Sequence, residues 1–216
     1  MEVDNHGNEL HTQTQPMDVE IFSAPKGQQA KCGKHDVDLG ETLHEMIAED
    51  SLDFGSWTFL ISEIEKVHSD NIDMLSLAYD SFLSKFLLCH WYWTKYAYHK
   101  ARLCTVVEAV DIFERAVEST TFSVGFWLNY CTFSESFLMD PSDIRRVYER
   151  AFSFVGKDYN CHVLWDKYLQ FEFSQQQWGM LAHIYIRVLK FPTKGLHFYC
   201  DKYDMLLMVI RFCNFI

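Results

Sequence analysis

The feature that most constrains this sequence is a tryptophan that returns at a nearly fixed interval. Intervals of 36, 34 and 38 residues separate Trp57, Trp93, Trp127 and Trp165. Three positions after each of them stands another large apolar residue: Leu60, Tyr96, Tyr130 and Tyr168. Because residues three apart share one face of an α-helix, each pair predicts a helix with one bulky face. A period near 35 residues is typical of arrays built from helix pairs.

A second motif recurs with the same period, about 20 residues after each Trp. It begins with an aromatic residue, and in its full form it continues with Glu, Arg and Ala. Intervals of 34, 35 and 37 residues separate the aromatic residues Tyr79, Phe113, Tyr148 and Tyr185. Apolar residues around the third copy lie at helical spacing, from Ile144 through Tyr148 to Val155. Two landmarks in phase establish a repeat of two helices, A with the Trp and B with the second motif.

A single helix pair cannot bury its apolar face, whereas stacked pairs can, so the repeat predicts an all-α fold, an α-solenoid of antiparallel helix pairs. The predicted array covers residues 51–200, with repeats at 51–88, 89–122, 123–160 and 161–195. An incomplete or atypical C-terminal helix is expected over 201–216. Asp140 and Pro141 mark a helix start, and Gly156 marks its end. We expect the structural core to contain the repeat-signature residues Trp57, Leu60, Tyr79, Trp93, Tyr96, Phe113, Ala116, Trp127, Tyr130, Tyr148, Ala151, Trp165, Tyr168 and Tyr185.

The composition changes at residue 51. Residues 1–50 hold 11 acidic and 3 basic residues and one aromatic residue, Phe22. Burying so little apolar area does not offset the conformational entropy that the chain would lose on folding. We therefore expect residues 1–50 to form a disordered acidic tail. A short helix around Glu41–Glu49 and a role as a docking peptide are the alternatives for this segment.

The net charge of −11 argues against a protein that coats nucleic acid by charge alone. The densest basic spot, Arg145, Arg146 and Arg150, is interpreted as a solvated helix face, with contact to RNA or a partner as the alternative. Glu63, Glu65 and Asp70, with His68 among them, are likewise interpreted as a solvated face at a helix end, with acid–base machinery as the alternative.

Among seven cysteines and ten histidines, Cys32 and His35 have no second ligand pair nearby, and the adjacent pairs Cys89 with His90 and Cys161 with His162 lack the ligand spacing typical of zinc. We therefore expect no metal, no cofactor and no catalytic residues, and the chain is not expected to be an enzyme. The odd number of cysteines, with a polar N-terminus that lacks a signal peptide, favours a reduced compartment. No apolar run is long enough to span a membrane.

The two motifs resemble the half-a-TPR (HAT) repeat, which pairs a Trp-x-x-Tyr helix with a helix carrying an aromatic-Glu-Arg-Ala string. Longer strings are similar to the N-terminal repeats of the pre-mRNA-processing factor 39 family, at residues 79–97, 109–117, 164–172 and 178–189. The sequence departs from the pattern at Ser81, where Arg is usual, and at Ile186, where Glu is usual.

This resemblance implies a nuclear scaffold that binds protein subunits of the U1 small nuclear ribonucleoprotein (U1 snRNP). Its expected role is 5′ splice-site recognition and early spliceosome assembly, with RNA contacted indirectly. Family members dimerise through C-terminal repeats that this sequence lacks, so dimerisation is not expected. A HAT scaffold of mRNA 3′-end cleavage or of ribosomal RNA processing, and a direct RNA-binding module, are the alternatives.

Overall fold

The computed structural model describes residues 39–213, and their side chains as far as residue 209. Within the described range the chain forms ten α-helices and no strand. The helices are α1 Leu39–Ala48, α2 Phe54–Val67, α3 Ile72–Lys85, α4 His90–Leu103, α5 Val106–Thr120, α6 Val124–Phe137, α7 Pro141–Val155, α8 His162–Ser174, α9 Trp178–Val188 and α10 Leu196–Cys213. A 3₁₀ turn, Tyr159–Cys161, precedes α8.

The helices α2 to α9 form four consecutive pairs, in which short loops make the partners antiparallel. Each A helix (α2, α4, α6 and α8) carries a repeating Trp, and each B helix (α3, α5, α7 and α9) carries the second motif. Successive pairs also contact one another, with α3 against α4, α5 against α6, and A helices against A helices. The all-α class and the α-solenoid architecture predicted from the period are confirmed.

Side-chain caps mark where five of the described helices begin: α2, α3, α5, α6 and α7. The Asp140 carboxylate accepts a hydrogen bond from the Ser142 backbone N–H at 2.8 Å, Pro141 is the first residue of α7, and Gly156 caps its end. These three positions match the start and stop predicted for this helix. Further N-terminal caps are formed by Asp53, Asn71, Thr105 and Ser123.

The ordered array begins earlier than its predicted boundary at residue 51. Residues 1–38 of the predicted tail lie outside the described residues, but residues 39–48 form α1, which packs on α2 and α3. Leu43 is fully buried, and Leu39, Met46 and Ile47 pack against the same core. These four apolar residues supply a helical face that the acidic average of the segment conceals. The helix falls where the alternative of a short helix had been placed.

The C-terminal helix also begins earlier than predicted. A turn at Gly195, whose φ of +74° suits a residue without a Cβ, starts α10 at Leu196, and the helix crosses the predicted limit at residue 200 without a break. Its buried Tyr199 donates a hydrogen bond to the Asp166 carboxylate at 2.9 Å. The helix is therefore joined to the fourth repeat through its first turn.

Candidate functional site

The repeat-signature residues are all buried, each with at most 8% of its surface exposed. What they do there differs with their position in the repeat. The Trp of helix A ties down the linker that precedes it, because its indole N–H donates to the backbone carbonyl six residues earlier. The distances are 2.8 Å from Trp57 to Ser51, 2.9 Å from Trp93 to Leu87 and 2.7 Å from Trp127 to Thr121. Trp165 departs from this rule.

In the first three repeats, the aromatic residue of helix B stacks on a Tyr in helix A of the next repeat. The ring centroids lie 5.1 Å apart for Tyr79 and Tyr96, 4.5 Å for Phe113 and Tyr130, and 4.5 Å for Tyr148 and Tyr168, with planes within 15° of parallel. Stacked rings contribute beyond the area they bury. The Tyr185 ring meets Tyr203 of α10 at 6.1 Å and 42°, so the stack tilts after the fourth repeat.

A ladder of ion pairs runs along the B helices. The arginine of each second motif reaches back to the acid of the preceding one, at 2.9 Å for Arg115 and Asp80, 2.6 Å for Arg150 and Glu114, and 2.6 Å for Arg187 and Glu149. Each guanidinium also lies over the Trp of its own repeat, 5.4–5.8 Å from the centroid of Trp93, Trp127 or Trp165.

The same acids accept a hydrogen bond from a Tyr of the next helix A. The distances are 3.1 Å from Tyr96 to Asp80, 2.7 Å from Tyr130 to Glu114 and 3.2 Å from Tyr168 to Glu149. Burial raises the pKa of the Tyr130 and Tyr168 hydroxyls well above their usual range, so they remain donors. Each acid therefore binds two side chains of the following repeat.

This arrangement explains the two departures from the HAT string. The acid points forward to the next repeat and the arginine points back to the preceding one. Ser81 stands in the first complete helix pair, before which no second motif supplies an acid. Ile186 stands in the fourth pair, is 41% exposed, and offers no acceptor to a following arginine. Within residues 39–209, the ladder thus runs from Asp80 to Arg187.

A second acidic position was misinterpreted from the sequence. Glu65, assigned above to a solvated face, has only 17% of its side chain exposed and accepts hydrogen bonds from Tyr79 and Lys95. Burial alone would raise its pKa, but hydrogen bonds from His99, Tyr79 and Lys95 outweigh that effect and lower the pKa of Glu65 to about 2.

The third repeat uses the same device. Glu135 accepts from the Tyr148 hydroxyl and pairs with Lys167 at 3.0 Å. Both glutamates stand eight residues after the Trp of their repeat. In both repeats the second motif begins with Tyr, and the next helix A has a Lys two residues after its own Trp. The second repeat has Phe113, without a hydroxyl, and Ala101 at the acidic position. This covariation was available in the sequence.

The three arginines of the predicted basic spot do not form one surface. Arg145 donates two hydrogen bonds, at 2.7 and 3.0 Å, to Glu172, which is fully buried. Arg150 belongs to the ladder. Arg146 has 78% of its side chain exposed and pairs with Asp143 at 3.0 Å. Two of the three are thus committed to contacts between repeats, and contact with RNA or a partner remains a prediction for Arg146.

Two cysteines, Cys131 and Cys161, serve as small apolar fillers in the core, whereas Cys104 and Cys200 are exposed. Burial raises the pKa of Cys131 well above its usual range and that of Cys161 to about 12, so both thiols stay protonated near neutral pH. No group of three His, Cys, Asp or Glu side chains in the described part of the chain could hold a metal ion. None of the described helices is long and apolar enough to cross a membrane.

Helix pairs with a buried Trp-x-x-Tyr face, linked through an aromatic-acid-Arg-Ala string, define the class of HAT-repeat α-solenoids. Within that class, the chain belongs to the family described as PRP39 N-terminal HAT repeat, whose model matches residues 41–205. The match includes most of α1, in agreement with its burial in the array.

Curated relatives agree with this assignment. The chain is 52% identical over 164 residues to Pre-mRNA-processing factor 39-2 of Arabidopsis thaliana, covering 76% of this chain and 16% of that protein. It is 31% identical over 154 residues to Pre-mRNA-processing factor 39 of Xenopus laevis, covering 68% and 24%. A weaker likeness, 26% over 187 residues, joins it to the mRNA 3′-end-processing protein rna14 of Aspergillus oryzae, covering 77% and 17%. The chain thus spans 16 to 24% of the length of these relatives.

Proposed function

We propose that this chain is a non-enzymatic scaffold of pre-mRNA splicing that acts in the nucleus by binding protein subunits of the U1 snRNP. The observation that carries the proposal is the family match over residues 41–205, together with the names of the relatives as pre-mRNA-processing factors. The finer assignment, to the U1 snRNP and to 5′ splice-site recognition, rests on the resemblance of the repeat strings to the factor 39 family.

The chemistry between repeats supports a scaffold. The half-buried acids Glu65 and Glu135 are held in hydrogen bonds and ion pairs between helices. The exposed arginines of the ladder are bound to acids of the neighbouring repeat. These charges fix the register of one repeat on the next, and a fixed register is what an extended binding surface requires.

Affinity purification from nuclear extract tests the proposal. The tagged chain should enrich U1 proteins by mass spectrometry and U1 RNA by quantitative PCR, relative to the tag alone. Trp127→Ala, which removes a buried ring that packs the helix pair of the third repeat, should lose this enrichment. If the intact chain recovers neither U1 proteins nor U1 RNA, the U1 assignment fails.

The likeness to rna14 favours one other candidate, a scaffold of mRNA 3′-end processing. The same purification separates the two, because this candidate requires cleavage factors in the eluate in place of U1 proteins.

RNA contact is proposed to be indirect, because Arg145 and Arg150 are held by Glu172 and Glu114. A mobility-shift assay compares the chain and its Arg146→Glu variant on naked RNA at increasing salt. We expect the two to behave alike, without a salt-sensitive complex that depends on Arg146. A salt-sensitive complex that disappears in this variant would instead establish direct binding through α7.

A further inference from the structure

The three junctions between successive repeats are not held by the same polar contacts. At the first and third junctions, a half-buried glutamate of one helix A binds a Tyr of its own helix B and a Lys of the next helix A. We call such a set a clamp. The two clamps are Glu65 with Tyr79 and Lys95, and Glu135 with Tyr148 and Lys167.

The outer junctions each carry one more ion pair. At the first junction, Arg102 of α4 pairs with Asp70 of the first repeat at 3.1 Å. At the third junction, Arg145 of α7 donates two hydrogen bonds to the buried Glu172 of α8, at 2.7 and 3.0 Å. These contacts are additional to the ladder, which all three junctions share.

The second junction, between the second and third repeats, lacks every member of the clamp. The three equivalent positions hold Ala101, Phe113 and Asn129. Asn129 donates instead to the Thr94 hydroxyl at 3.3 Å, a bond between neutral groups. Among the described residues, Arg150 and Glu114 of the ladder form the one ion pair that crosses this junction, and their side chains are 41% and 38% exposed. An exposed pair of this kind stabilises little.

The other contacts at the second junction are mainly aromatic. Phe113 stacks on Tyr130 at 4.5 Å, and Tyr98 of α4 meets Phe133 and Phe137 of α6 edge-on, at 5.4 and 6.0 Å. Apolar attraction is non-directional, whereas a satisfied, half-buried polar network fixes the position of its partners. Packed helices without such a network can slide against each other by about 1–2 Å.

We propose that the array flexes at the second junction, so that the first two repeats move as one rigid half and the third and fourth repeats as the other. The clamps keep each half intact while the joint between the halves slides. This motion changes the curvature of the array, and therefore the shape that its extended surface presents to a partner. The inference does not depend on the splicing assignment.

Spin labels at equivalent sites test the proposal in the full chain. The four sites are exposed and stand two residues before the aromatic residue of each second motif: Leu77, Asp111, Arg146 and His183. A ketone-bearing amino acid at two of these sites takes the labels, so the native cysteines stay unmodified. Continuous-wave electron paramagnetic resonance gives the distance distribution across one junction for each neighbouring pair. We expect the pair at 111 and 146 to give a distribution about 1–2 Å wider than the pairs at 77 and 111 and at 146 and 183.

Installing a clamp at the second junction provides a matched pair of variants. Ala101→Glu with Phe113→Tyr and Asn129→Lys supplies the acid, the hydroxyl and the ammonium group, and should narrow the distribution at 111 and 146 to the width of the other two. Ala101→Gln with Phe113→Tyr and Asn129→Met introduces side chains of similar size without the charges, and should leave the distribution wide. Circular dichroism checks that both variants fold.

The comparison of the three junctions in the original sequence holds whether or not the variants fold. Equal widths at the three junctions, or the widest distribution at the first or third junction, would overturn the proposal. A folded clamp variant whose distribution is no narrower than that of its neutral control would overturn it as well.

Discussion

Trp127→Ala is the substitution that most directly tests the packing role of the repeating indoles. The Trp127 side chain is fully buried, stacks on Phe154 with centroids 5.8 Å apart, and donates to the Thr121 carbonyl. A buried aromatic residue removes about 150–250 Å² from water, which at ~25 cal/mol per Å² gives about 4–6 kcal/mol as an upper bound. Core truncations of Trp cost about 3–5 kcal/mol. We expect a loss of about 4 kcal/mol, a large part of the ~5–15 kcal/mol that stabilises a typical domain.

Urea unfolding followed by far-ultraviolet circular dichroism measures this loss. Trp178→Ala is the matched control, because Trp178 is 45% exposed and contacts one described ring, that of Phe173, edge-on at 5.6 Å. The control should cost about 1 kcal/mol or less. A loss below about 1 kcal/mol for Trp127→Ala, or equal losses for the two variants, refutes the view that the indole holds its own helix pair and the linker before it in place.

Three further predictions concern the polar contacts between helices. The folded pKa of Glu65 lies at about 2, below its ordinary 4.5, so its ion pair stabilises the fold above pH 4.5 and this stabilisation is lost as the pH falls toward 2. Glu65→Gln should therefore reduce the pH dependence of the unfolding free energy between pH 4.5 and 2 in urea melts. An unchanged pH dependence would contradict the assignment. Phe113→Tyr adds a buried hydroxyl that has no carboxylate to accept its hydrogen bond, and it should cost about 1–3 kcal/mol of stability. Adding Ala101→Glu in a double variant should partly restore this stability. If it does not, a glutamate at position 101 is not the acceptor of the new hydroxyl. A double-mutant cycle on Glu114 and Arg150 should give a coupling of about 0.5–1 kcal/mol that declines with salt, since both side chains are partly exposed, and a salt-independent coupling would be inconsistent with an ion pair.

Most of the fold could be predicted from the repeat period. Large aromatic residues at regular helical spacing favour burial, so the series from Trp57 to Trp165 predicts helix pairs, and stacked helix pairs form a solenoid. The cap at Asp140 could also be predicted, because capping depends on residues adjacent in the chain. The buried face of α1 was missed because the average over residues 1–50 is dominated by acids, although Leu43 and its neighbours keep a helical spacing.

The contacts between repeats were less accessible to sequence reasoning. Which acid meets which arginine depends on how far one helix pair is rotated against the next, and this rotation is a tertiary property. The misinterpretation of Glu65 shows the difficulty, since a glutamate at a helix end is usually solvated, and only a comparison of all the repeats links it to Tyr79 and Lys95.

The forward acid and the backward arginine give every interior unit two unlike, mutually complementary ends. A tandem duplication of the segment 89–122 would therefore create a junction already supplied with the contacts it needs, Glu114 on one side and a copy of Arg115 on the other. Arrays of this kind can lengthen by whole repeats without needing new contacts at the junction. A breakpoint within a helix pair would instead leave an acid or an arginine without its counterpart, which restricts viable length changes to multiples of about 35 residues.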